Sequence, residues 1–96
     1  MAKDPQFKQA REDTIENLEA IRMTLDRCTD EGMPLDPDSA FYNELLDLID
    51  EASLSKTWDE LIEVITKAKT LEVDVDVWLS NRGLTTLSLL WPQKFG

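Results

Sequence analysis

Ninety-six residues make one domain around one core, and a formal net charge of −10 from twenty acids and ten bases sets the chain against nucleic acid and anionic membrane. At 42% apolar and 31% charged it is composed to fold rather than to remain disordered. There is no histidine, which excludes Ser-His-Asp and Cys-His nucleophilic chemistry, histidine-ligated metals and the usual pH switch. The glycines Gly32, Gly83 and Gly96 stand alone, so there is no phosphate-cradling loop. No run of apolar residues is long enough to span a bilayer, and "MAKDPQFKQARED" lacks the apolar centre of a secretory signal. The lone Cys28 has no partner for an internal disulfide. These features give the expectation of a cytoplasmic protein.

The first helix is expected over about residues 5–30. Asp4 suits its N-cap and Pro5 its first helical position. Phe7, Ala10, Thr14, Leu18, Ile21, Leu25 and Cys28 recur at three- and four-residue steps, with Ile15 beside them. Arg22 can pair with Asp26 and Arg27 with Glu31. Gly32 is the natural stop. After "MPLDPDS" a second helix is expected over about 37–52, with Asp36-Pro37 repeating the cap-then-proline signature. Its apolar stripe is Phe41, Leu45, Leu48, Ile49 and Ala52, widened by Tyr42 and Leu46. "TWDE" is a capping box in which Thr57 accepts from the Glu60 amide and Glu60 reaches back. A third helix is expected over about 58–70, facing inward through Trp58, Leu61, Ile62, Ile65 and Ala68. Short linkers make the three antiparallel neighbours.

"LEVDVDVWLSNRGLTTLSLLW", Leu71–Trp91, satisfies two templates. Strict alternation and three valines favour a β-hairpin over about 72–91, with Gly83 in the left-handed position of a three-residue loop. That loop sets Leu79 opposite Thr85, Val77 opposite Leu87, Val75 opposite Leu89 and Val73 opposite Trp91, so the two apolar faces coincide. Trp78, Leu84 and Leu90 then point outward as a contact patch. In the alternative, Asp74 caps a short helix, Gly83 ends it with Leu84 closing back on Leu79, and a further short helix runs to Trp91. The favoured fold class is therefore α+β and helix-dominated, three antiparallel helices followed by a C-terminal β-hairpin in a single domain of residues 1–96. The alternative is an all-α bundle of four or five helices.

The charge is unevenly placed. Residues 28–66 hold eleven acids and one base, Lys56, and so carry −10; residues 1–27 (six acids, five bases) and 67–96 (three acids, four bases) cancel. Helix-start preference accounts for Asp36, Asp38, Asp59 and Glu60 but not for Asp47, Asp50 and Glu51, which fall where the second helix's dipole disfavours acids. Solubility alone would also produce such a bias. The pairs Asp36/Asp38 and Asp74/Asp76 lack the glycine and distal glutamate of a calcium loop, so no metal site and no cofactor are assigned. Paired carboxylates without a cleft do not make an acid/base centre, so the chain is expected not to be an enzyme.

The function expected is that of an inhibitor, immunity-type or adaptor protein. Its acidic helical face docks on a basic surface of a partner protein, such as the nucleic-acid groove of an enzyme. The partner-binding set is Asp36, Asp38, Glu44, Asp47, Asp50, Glu51, Asp59 and Glu63, with Trp78, Leu84 and Leu90 from the hairpin. The rival expectation is an assembly protein that forms a homodimer through the first helix or the hairpin edge. Direct binding of nucleic acid or membrane is not expected.

Overall fold

The structure is a computed structural model that describes residues 5–30 and 41–92. Three helices account for most of it: α1 (Pro5–Asp30), α2 (Phe41–Leu54) and α3 (Trp58–Asn81). α1 is helical throughout the described residues 5–30, as its pattern foretold, and the residues that would bound it on either side lie outside the described ones. Ala10, Thr14, Leu18, Ile21, Leu25 and Cys28 are buried along one face, and the buried Thr14 hydroxyl donates to the Ala10 carbonyl at 2.7 Å. Arg22 pairs with Glu19 at 2.7 Å, on the opposite side from the Asp26 expected from spacing. The Glu19 hydrogen bond, then its charge, raises the arginine's pKa. α2 buries Leu45, Leu48 and Ala52. Asp4, Gly32 and the Asp36-Pro37 start signal lie outside the described residues.

Three residues turn α2 into α3. Ser55 is buried: its hydroxyl donates to the Glu51 carbonyl at 2.9 Å, and its own carbonyl accepts from Arg11 at 3.2 Å. The capping box forms as the sequence foretold. The Glu60 amide donates to Thr57 Oγ1 at 3.2 Å, and the Glu60 carboxylate accepts from the Lys56 amide at 3.2 Å. The start of α1 meets the residue after α2 through Arg11 and the start of α3 through Phe7, whose ring packs edge-on to Trp58 at 5.6 Å. α2 therefore runs antiparallel to both other helices, and all three share one core.

The expected hairpin is absent: among the described residues there is no strand. α3 does not stop near residue 70 but continues to Asn81. Leu71, Val75 and Leu79 are spaced to suit both a strand face and a helix face. Trp78, Val73 and Val77 separate the two. On a strand, Val73 and Val77 share the inward face with Val75 and Trp78 faces out; on a helix, Trp78 joins Val75 inside and the other two valines turn out. Trp78 is buried at 5% exposure, whereas Val73 and Val77 are 60% and 55% exposed. The physical reason is continuity. The capped helix already under way extends at the cost of one residue per hydrogen bond, and each turn delivers another of Leu71, Val75 and Trp78 to a core already built by α1 and α2. Strand propensity, worth about 1 kcal/mol over its whole range, yields to that burial.

The end of α3 follows the alternative expectation in part. Gly83 has φ +72°, its amide donates to the Ser80 carbonyl at 3.0 Å, and the Leu84 amide closes on the Leu79 carbonyl at 2.9 Å. This is a Schellman stop, with glycine supplying the left-handed residue. Asp74 lies inside α3 and caps nothing, and residues 84–92 are not helical. The all-α alternative thus has the right class, with three helices among the described residues rather than four or five.

Beyond Leu84 the chain runs back along α3 as a strap, residues 85–92. The Leu87 amide donates to Asp76 Oδ1 at 2.9 Å and the Leu89 amide to Glu72 Oε2 at 2.8 Å. Trp91 Nε1 donates to Glu72 Oε1 at 2.9 Å. Two residues of open chain advance up to about 6.6 Å and four helical residues about 6 Å, so alternate strap amides can keep step with carboxylates one helical turn apart. The acids of "EVDVD" are thus the backbone partners of the strap rather than a guarded strand edge. Asn17 of α1 closes the other side, its Nδ2 donating to the Leu90 carbonyl at 2.7 Å.

Candidate functional site

α2 and α3 leave an open groove on the surface opposite their shared core. On α2, Glu44, Asp47, Glu51 and Leu54 follow one another at three- and four-residue steps and therefore rise along one helical face. On α3, Glu60, Glu63 and Lys67 do the same, with Val64 beside Glu63 and also three and four residues from Lys67 and Glu60. The groove beside α2 encloses about 550 Å³ and is lined by Glu44, Asp47, Leu48, Asp50, Glu51, Leu54 and Lys67. A contiguous hollow of about 220 Å³ adds Ser55, Glu60, Glu63 and Val64 and shares Glu51, Leu54 and Lys67. Six carboxylates from two helices thus line the two hollows, with Lys67 the one cation among the described lining residues.

Lys67 Nζ lies 3.6 Å from Glu51 Oε1, with both side chains about half exposed. A pair so open to water contributes less than about 1 kcal/mol. Glu44, Asp47, Asp50 and Glu63 are exposed and have no cation within 4.0 Å among the described residues. Glu60 is occupied by the capping box. Leu54, at 70% exposure, offers the groove an apolar contact beside its charges. The arrangement can receive cations carried on another surface; it has no enclosed cavity in which charge would be desolvated.

The expected partner-binding residues separate into groups. Glu44, Asp47, Asp50, Glu51 and Glu63 are brought together here. Asp59 is exposed in the first turn of α3 and lines neither hollow. Asp36 and Asp38 lie outside the described residues. Trp78 is a correction: it is a core residue and presents no surface, with the Arg82 guanidinium stacked 4.0 Å over its ring. Leu84 is also corrected, being half-buried against the core as part of the helix stop. Leu90 is 91% exposed, but on the strap beside α1. The outward trio therefore makes no common patch. With no strand among the described residues, the hairpin edge expected for assembly is absent from them too.

Composition alone missed Leu54, Glu60 and Lys67, although the three- and four-residue spacing within each helix carries the signal. Asp74 and Asp76 do not share a face, because residues two positions apart on a helix are about 200° apart around its axis, and Asp76 is turned to the strap. Among the described residues no three cysteine, aspartate or glutamate side chains group as a metal site. No helix among them is long and apolar enough to cross a membrane. Comparison with models of protein families, with curated proteins and with solved structures gives no match to this chain.

Proposed function

We propose that the protein is a small acidic binding module, of inhibitor, immunity or adaptor type, that seats the α2/α3 groove on a basic surface of a partner protein. The observation that carries this reading is convergence. Acids spread over twenty residues of sequence, from Glu44 to Glu63, line one concave surface, with Lys67 as the single lining cation among the described residues. A charge bias serving solubility alone has no need to gather from two helices into one groove. The field of such a groove steers a cationic surface toward it, and Leu54 supplies apolar contact on arrival. The acidic row can stand where phosphates lie on a nucleic-acid-binding enzyme.

The test compares the unsubstituted protein with the triple variant Asp47→Lys, Asp50→Lys, Glu51→Lys. Each is immobilised and used to capture proteins from host extract at low and high salt. A basic protein retained only by the unsubstituted chain, and only at low salt, is the expected result. Circular dichroism confirms that the variant is folded. Capture that survives both the reversal and the salt removes the acidic groove as the binding surface.

A further inference from the structure

The strap differs from the rest of the core in how it is held. The helices are fixed by buried side chains, sixteen hydrophobic residues in the described chain being nearly inaccessible. In residues 85–92 none is fully buried; Leu87, Leu89 and Trp91 are half-buried, resting against the core from outside. Among the described residues its backbone has no regular hydrogen-bonded partner. Among the described residues, besides that partial packing, it is attached by four side-chain bonds, between Asp76 and the Leu87 amide, between Glu72 and the Leu89 amide and the Trp91 indole, and between Asn17 and the Leu90 carbonyl. Ser88 sits at φ +53°, a left-handed position in which a side chain crowds the backbone. The α3 stop is complete without the strap, because its two closing bonds end at Leu84.

We propose that residues 85–92 are a releasable strap that opens beyond Leu84 as one unit while the three helices stay folded. Opening uncovers the α1/α3 seam, where Trp91 packs against the cluster of Ala10, Leu61 and Ile65, and the side of the main core on which Leu87 and Leu89 rest. It also frees the Glu72 and Asp76 carboxylates and relaxes Ser88. Glu72 is the latch, because its two oxygens hold two different points of the strap. A glutamine there retains one acceptor oxygen and turns an N–H toward the other donor.

Native-state hydrogen exchange on the intact chain reads this directly. The amides of Leu87 and Leu89 and the Trp91 indole are expected to exchange at least about tenfold faster than core helix amides, with rates that barely change in low urea. Glu72→Gln is expected to speed all three by about tenfold, Leu87 included, and to leave the core amides unchanged. The proposal is overturned if the strap amides exchange with the rate and urea dependence of the core. It is equally overturned if Glu72→Gln speeds Leu89 and Trp91 but not Leu87, since the strap is then no single unit. The urea series on the unsubstituted chain decides the matter even where Glu72→Gln fails to fold.

Discussion

Trp78 shows how much one side chain decides. Its ring is in the core, its Nε1–H has no hydrogen-bond acceptor among the described residues, and Arg82 covers one ring face while donating to the Trp78 carbonyl at 3.1 Å. An unpaired indole N–H is a cost that the ring's large buried area offsets. Trp78→Ala should therefore destabilise the fold by about 3–5 kcal/mol, as a large-to-small core change does. Urea denaturation measures it; a loss under about 1 kcal/mol would return Trp78 to the surface. Alternation counted from the valines turns this residue outward. The valines are the misleading members of the set, since Val73 and Val77 are the ones left in water.

At the level of elements, the helices that carry a clean three-and-four pattern are legible in the sequence, and so are their punctuation marks. The Thr57–Glu60 box and the Gly83–Leu84 closure on Leu79 are both local signals with local causes. The end of α3 is not legible from local pattern, because Leu71, Val75 and Leu79 fit both periods. What settles it is long-range: the core that α1 and α2 hold ready for Leu71, Val75 and Trp78. The role of Glu72 and Asp76 is hidden for the same reason, since their partners lie eleven to nineteen residues further on. Val73→Lys with Val77→Lys discriminates the two architectures. On the exposed face of α3 each change should alter stability by less than about 0.5 kcal/mol, whereas inward-facing hairpin positions would not tolerate two lysines. Equilibrium unfolding reads the difference.

On the scale of the whole molecule, an excess of ten negative charges is concentrated in the middle of the chain, and its own bases leave most of that excess unmatched. α2 has no base in its last turn, so Asp50 and Glu51 also oppose its dipole. Removing charge should then strengthen the fold while it weakens docking. Asp47→Asn with Asp50→Asn is expected to stabilise the protein by about 0.3–1 kcal/mol in low salt, the gain shrinking as salt is added. A destabilised double variant would mean that these acids support the structure. That the middle of the chain holds the acids is evident from the residue count. That Glu44, Asp47, Asp50, Glu51 and Glu63 share one groove with Leu54 and Lys67 requires the helices to be placed. The most direct measurement of the docking claim is the affinity for a captured basic partner, titrated at about 0.05 M and about 0.5 M salt. The groove predicts binding at least about tenfold weaker in the higher salt, and no measurable binding at either salt by the Asp47, Asp50 and Glu51 charge-reversal variant. An affinity that is the same at both salt concentrations, or the same in the variant, would contradict it.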